Sequence, residues 1–357
     1  MARIRVLSWN IEVYGPTKFG LTPNNLSVAR FVSQTIQESQ ANLVVLMELN
    51  SGVAKQIATT LELDLEAATG QSWDNSVTMT RPTGDVESYA MLWRTEPAMS
   101  FQPIPGAANL SPLEFPNNFS ATHGRRAAYA VFHTTDTAQN FALGIYHAPP
   151  NDQAVLGVQQ LASTAQLYGI NGARNVDRRL LCGDYNMDAV NDAQHFAPLT
   201  ALPTAPPLPP APPPLAAGVG SGCLPAIAGG ALDQSTILGK IADALQAWGP
   251  YVAHWAANST GYRRANMAID NVYYRAALNS ANVIDCIDLI RNPRPGSQLR
   301  AIANSFVLAC ADGSPAFPNA QNFPPAMNLA LNYMGYAFLL YRYAISDHLP
   351  VLVDVTI

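Results

Sequence analysis

The chain has 357 residues, is 48% hydrophobic and only 13% charged, and carries a formal net charge of −5. That length allows one large domain or two small ones, and the negative balance argues against sequence-independent phosphate binding through a broadly basic face. It leaves open a nuclease in which bound cations and a few local arginines meet the phosphates.

The N-terminal run "MARIRVLSWNIEVYG" alternates apolar and polar residues and reads as a first strand. It has no signal-peptide hydrophobic region, so a cytoplasmic location or leaderless export is expected. Ser27 is placed to cap a helix over "VARFVSQTIQES", with Val28, Phe31, Val32 and Ile36 on one face. Strand-like runs follow in "NLVVLMELN", "SYAMLWR", "AAYAVFHT" and "FALGIYHA". Asn151 or Asp152 is placed to cap a second helix, "QAVLGVQQLASTAQLYGI", before the strand "RRLLCGDYN".

Residues 198–230 are rich in Pro, Ala and Gly. Proline fixes φ and removes backbone donors, so a surface excursion with polyproline II character is expected here, not core sheet. A third helix is expected over "ALDQSTILGKIADALQAWG", then strands at "AIDNVYYR" and "DHLPVLVDVTI". The apolar run "MGYAFLLYRYAI" is too short for a membrane span and carries Arg342. Cys182, Cys223, Cys286 and Cys310 are scattered without a CxxC pair, which argues against a zinc site. Cys182 reads as a buried thiol in a strand. Mixed strands and helices indicate a layered α/β or α+β fold.

Polar groups recur at the ends of apolar strands. Asn10 ends "VLSWN", Glu48 ends "LVVLME", and His147 ends "ALGIYH". Asp184 and Asn186 end "LLCGDYN"; Asp270 and Asn271 interrupt "AIDNVYY"; Asp347 and His348 open "SDHLPVLV". Unpaired buried carboxylates are costly, so such groups must meet cations, meet each other, or lie at a rim. Convergence of these ends would suit a hard, oxygen-preferring cation and leave two imidazoles for proton transfer. Taken singly each signal is weak, since an Asn after a strand is usually a turn residue.

The order of these motifs resembles the endonuclease/exonuclease/phosphatase superfamily, and within it the DNase I branch. "SWNIEVYGPTK", "VVLMELN", "FALGIYHAPPND", "LLCGDYN", "IDNVYY" and "AISDHLPVLV" carry the resemblance over essentially the whole chain. It implies an α+β fold, a four-layer αββα sandwich of two mostly antiparallel sheets, with residues 1–357 as one domain and the Pro-rich segment as an insertion.

The same resemblance implies roles. Glu48 would be the main metal-binding carboxylate, with Asp347 and Asn10 completing or supporting the site. Asp184 would touch the metal or orient the attacking water. Asn186 would hold a phosphate oxygen, with Asn271 also on the substrate side. His147 and His348 would flank the scissile phosphate, oriented by Glu87 and Asp270 respectively. Arg125 and Arg126 stand where a phosphate-binding arginine is expected; the alternative is a solvated charge pair at a strand end. His123, His133, His195 and His254 have no matching motif and read as ordinary structural or surface histidines. The implied cofactor is Mg²⁺, with Mn²⁺ as a substitute and Ca²⁺ in a structural role. The implied partner is nucleic acid, DNA first, acted on by a monomer.

The departures lie in the substrate-gripping loops. Where the DNase I branch has arginines that hold duplex DNA, this chain has Glu12 and Asn50, and an expected minor-groove aromatic is replaced near Asp85. Three readings therefore stand: a metal-dependent nuclease; an enzyme for a smaller phosphoester such as an inositol phosphate or sphingolipid head group; and a catalytically silent binding module.

Overall fold

The computed structural model describes residues 2–15, 27–80, 87–95, 101–103, 111–112, 125–150, 152–163, 178–200, 222–230, 232–237, 267–303, 305, 337–338, 341–342 and 344–357. Among these residues two sheets form. The first contains β1 (Arg3–Tyr14), β2 (Leu43–Asn50), β3 (Trp73–Met79), β4 (Glu87–Arg94), β12 (Ala277–Val283) and β13 (Val351–Thr356), in the order β12-β13-β1-β2-β4-β3. The second contains β5 (Phe101–Pro103), β7 (Ala128–Thr134), β8 (Asn140–His147), β9 (Arg178–Asp184), β10 (Leu224–Pro225) and β11 (Asp270–Arg275), in the order β10-β11-β9-β8-β7-β5, with β6 (Ser111–Pro112) on β7. Each sheet is antiparallel except at one pair: β1 with β2, and β8 with β9.

Period-two alternation decides which side chains meet between the sheets. On β8, Phe141, Leu143 and Ile145 join the core shared with the first sheet, while Ala142 and Tyr146 face the other way. On β9, Leu180 and Cys182 point inward and Leu181 outward. Helices α1 (Ser27–Ser39) and α2 (Ala54–Thr69) bury Phe31, Ile36, Ile57 and Leu61 in the core of the first sheet. Helix α3 (Asp152–Ser163) covers the outer face of the second, where Val158 and Leu161 join Tyr146, Leu181 and Tyr273. Two short helices, α4 (Ala197–Thr200) and α5 (Cys286–Arg291), complete the outer layers. The architecture is the four-layer αββα sandwich. Each fully buried Leu, Val or Phe of this core contributes about 1.5–3 kcal/mol.

Several expectations change. Part of the Pro-rich segment is built into the fold: Leu199 and Cys223 are buried, and β10 pairs with β11. Pro225 is tolerated because β10 is an edge strand, where a missing donor costs little. Residues 201–221 lie outside the described residues. Residues 232–237, expected to be helical, form a turn followed by a bridge from Thr236 to His348. The Ser27 and Asp152 side chains, Asn151, Asp85, His123, His254 and Cys310 also lie outside what is described. No helix among the described residues is long and apolar enough to cross a membrane.

Candidate active site

Strand register assembles the centre. In the parallel β8–β9 pair His147 stands opposite Asp184, and in the antiparallel β9–β11 pair Asp184 stands opposite Asp270. Asp184 lies two and four residues beyond Cys182 and Leu180, so it shares their inward face. Gly183 alternates outward against β8. A Cβ there would collide with the Tyr146 backbone oxygen and press on the Tyr185 ring, so the close strand approach that aligns these residues requires glycine.

The first sheet supplies the facing half. Register shifts by a bulge between Leu46 and Leu49 on β2, and Glu48 within it has φ of 60°. Non-glycine residues rarely occupy that region, and a bulge re-aims a side chain. Glu12 (φ 36°) and Asn186 (φ 50°) share this conformation, so strain gathers at the site.

The polar groups form one connected set. Asn10 Nδ2 donates to Glu48 Oε1 and to Asp184 Oδ2, both at 3.0 Å. Nε2 of His147 lies 3.5 Å from Glu48 Oε1 and 3.7 Å from Asp184 Oδ2. Nε2 of His348 lies 3.7 Å from the same Asp184 Oδ2 and 3.5 Å from Asp347 Oδ1. His348 Nδ1 meets Asp270 Oδ2 at 2.7 Å. Glu48 and Asp347 are thus on one rim.

The two imidazoles are pushed in opposite directions. Burial would lower the His348 pKa, but the charges of Asp270 and Asp184, the Asp270 hydrogen bond and Asp347 outweigh it and raise it well above the ordinary value. His147 goes well below its ordinary value through burial, then the charges of Arg125 and His348. Burial and the Asp270 charge raise Asp184 to about 7, against the opposing pull of His348 and the hydrogen bonds from Asn186 and Asn10.

Glu87 orients His147 less directly than expected. Its Oε2 lies 3.7 Å from His147 Nδ1, while its Oε1 accepts from Arg125 NH2 at 2.7 Å. Arg125 NH1 in turn lies 2.9 Å from His147 Nε2. His147 is held low by burial first and then by the charge of this guanidinium.

The donor chemistry fits a hard cation. Carboxylates and imidazoles gather in two groups, Glu48 with Glu87 and His147, and Asp184 with Asp270 and His348. Buried oxygens Asp270 Oδ1 and Asp347 Oδ1 have no hydrogen-bond donor among the described residues. Anionic oxygen of this kind suits a hard divalent cation. Asn10 is a different matter. Its Oδ1 accepts from the Glu12 backbone N–H at 3.0 Å, which fixes the amide so that the NH₂ faces the carboxylates. Asn10 thus turns its amide NH₂, and not its oxygen, toward Glu48 and Asp184.

Comparison with known proteins bears on the fold. No protein-family model matches the sequence, and no curated protein matches it. Solved structures do match. An endonuclease/exonuclease/phosphatase from Bacteroides vulgatus is 13% identical, with 100% of each chain covered and a TM-score of 0.53. This chain has the endonuclease/exonuclease/phosphatase fold. An endonuclease/exonuclease/phosphatase family protein from Bacteroides thetaiotaomicron is 12% identical over 99% of this chain and 97% of its own, with a TM-score of 0.53. A mannosyl-6-phosphatase from the same species is 11% identical over 99% of this chain and 100% of its own, with a TM-score of 0.52.

On the endonuclease/exonuclease/phosphatase frame, the remaining expected residues divide. Asn186 Nδ2 and Arg125 NH1 both donate to the Ala148 carbonyl, at 2.6 and 3.2 Å, so these two donors sit together beside His147. Arg126 is held through its backbone N–H on Thr80 O and has no side-chain contact to the site among the described residues. Asn271 serves the scaffold: its Oδ1 accepts from the Ala226 and Ile227 backbone N–H groups, and its Nδ2 donates to Ile227 O. Alternation sends it to the side of β11 away from Asp270. His133 pairs with Asn140 across the β7–β8 hairpin, a structural role.

Other residues entered unannounced. Buried Arg342 bridges Glu12 Oε2 at 2.6 Å and Asp347 Oδ2 at 3.5 Å. Ser235 Oγ accepts from the Asp270 N–H, and Ser346 Oγ donates to Asn10 O and accepts from the His348 N–H. Tyr89 Oη accepts from the His147 N–H. A charge inside the apolar run around Arg342 was the one usable sequence signal among these.

Proposed function

We propose that this chain is a divalent-cation-dependent phosphodiester hydrolase acting on nucleic acid, DNA first, in the manner of the DNase I branch. The carrying observation is that Nε2 of both His147 and His348 lies 3.7 Å from one oxygen of Asp184, while their proton affinities are pushed in opposite directions. A pair of titratable groups separated in this way divides naturally into a base and an acid.

In this reading His147, neutral near pH 7, accepts a proton from the attacking water at Nε2. His348, protonated and held by Asp270, delivers a proton from Nε2 to the leaving oxygen. Asp184 orients the water, and Arg125 exchanges its contact with His147 for a phosphate oxygen, beside the Asn186 amide. A cation held by Glu48 and Asp347 would neutralise charge on the phosphoryl oxygens. Residues 1–357 act as one domain, a reading supported by β1 pairing with β13 at the two ends of the chain.

One observation favours a second reading, hydrolysis of a small phosphoester such as an inositol phosphate or sphingolipid head group. Glu12, standing where a duplex-gripping arginine is expected, is an anion tied to Arg342. Plasmid nicking with Mg²⁺ or Mn²⁺, run beside phosphate release from the small substrates, separates the two. Nicking that stops in excess chelator supports the nuclease. Phosphate release without nicking moves the substrate to the small esters, and neither activity would overturn the hydrolase reading.

A further inference from the structure

Asp270 begins β11 of the second sheet, and His348 leads into β13 of the first. One short segment touches both. Residues 235–237 run beside residues 347–349: the Leu349 N–H donates to Ser235 O at 2.7 Å, the Ile237 N–H donates to Asp347 O at 2.9 Å, and Thr236 bridges His348 in the antiparallel sense. The same segment reaches the second sheet through the Ser235 side chain. Its Oγ accepts from the Asp270 N–H at 3.0 Å and donates to Met267 O at 3.4 Å.

Sheet topology explains why a hydroxyl is needed there. β10 stops short of Asp270 and pairs with β11 only at Tyr273 and Tyr274. A buried backbone N–H must find an acceptor, and the Ser235 hydroxyl takes the place of the missing strand. Ser235 is fully buried, so bulk water does not compete for that contact. The neighbouring side chains pin the segment. Gln234 Oε1 accepts from the Met267 N–H at 2.6 Å, and its Nε2 donates to Gly229 O and Gly230 O. Thr236 Oγ1 donates to Met267 O at 3.2 Å. The Ser235 hydroxyl therefore stands on a support fixed to the backbone of His348.

The 2.7 Å contact between His348 Nδ1 and Asp270 Oδ2 joins two backbones that share no sheet, so its length depends on what holds those backbones apart. We infer that Ser235 is a positioning residue: its hydroxyl sets where Asp270 stands against His348, and it acts on the reaction only through that pair. The effect on rate rests on the proposed hydrolase reading. The effect on the His348–Asp270 contact does not.

Proton NMR of the full chain tests the contact without substrate. The resonance of the His348 Nδ1 proton, held against Asp270, is assigned by its loss in Asp270→Asn. Ser235→Ala removes the acceptor of the Asp270 N–H and should move or broaden that resonance. Thr236→Val removes a hydroxyl of the same segment that meets only Met267 O, and should leave the resonance in place. Should the alanine variant fail to fold, Ser235→Cys keeps the size with a weaker acceptor and should act in the same direction. On phosphodiester cleavage, Ser235→Ala should lower kcat about tenfold to a hundredfold, with KM nearly unchanged. A wild type that cleaves nothing would end the hydrolase reading and leave the resonance to decide the positioning. A resonance unmoved in the folded Ser235 variants, moved equally by Thr236→Val, or moved with no change in kcat of an active enzyme would overturn the role of Ser235.

Discussion

His348 Nδ1 and Asp270 Oδ2 lie 2.7 Å apart, both buried, across the gap between the two sheets. The contact ties a residue three positions before β13 to the first residue of β11. Its protonation state follows from its neighbours: burial opposes the charge, and the charges of Asp270 and Asp184 prevail. A histidine whose folded pKa is raised contributes stability fully below its unfolded pKa, about 6.5. That contribution fades as pH rises through the higher folded value. Asp270→Asn should lower the His348 pKa and flatten this part of the stability profile. An NMR titration of the metal-free protein checks it; an unshifted imidazole would remove Asp270 as its partner.

Opposite shifts in the two histidines leave Asp184 to set the acid limit. The rate should need His147 neutral, Asp184 ionised and His348 protonated, so it should rise through the Asp184 value of about 7 and hold to below the high His348 value. Glu87→Gln should leave the His147 pKa low, because burial and the Arg125 charge set it. A pH–rate profile of wild type and this variant measures both statements.

Asp188 predicts acid sensitivity carried by a structural carboxylate. Burial raises its pKa, but N–H groups of Asn191, Ala268 and Val190 outweigh that and lower it. The sign is the ordinary carboxylate one: stability is present above the unfolded pKa of about 3.9 and is lost as pH falls through the folded value. Asp188→Asn should cost about 1–3 kcal/mol at neutral pH. Urea unfolding across the acid range tests it, and an unchanged midpoint would contradict the role.

Gly183→Ala should disturb both stability and activity. The added methyl meets the Tyr146 backbone, so β8 and β9 must part, at a cost of about 1–3 kcal/mol. His147 and Asp184 face each other across that pair and should move with it. Thermal unfolding read beside rate would show whether the two losses travel together.

Glu48→Gln keeps size and removes the charge proposed to hold the cation. Calorimetric Mg²⁺ or Mn²⁺ binding should weaken and activity should fall by orders of magnitude. Wild-type affinity in this variant would place the cation elsewhere.

The sandwich was legible because alternation and strand-end polarity are local signals. "FALGIYH" and "RRLLCGD" show their inner and outer faces directly, and their last inward positions are His147 and Asp184. Helix α2 was missed although Ile57, Leu61 and Leu65 recur at helical spacing, because its polar face diluted the pattern. Strand β12, "ALNSANV", has almost no apolar face and owes its form to pairing with β13. The pairing of Arg125 with both Glu87 and His147 was beyond reach, since three separated segments create it. Burial first and that contact second hold the His147 pKa low.

The most direct test is a double-mutant cycle on phosphodiester cleavage with His147→Ala and His348→Ala. Each single variant should fold normally and lose roughly 10²-fold or more in rate. The double variant should lose less than the product of the two, because residues acting as one unit are non-additive. Near wild-type rates in both single variants, with only the unfolding midpoint lowered, would contradict the paired-histidine account.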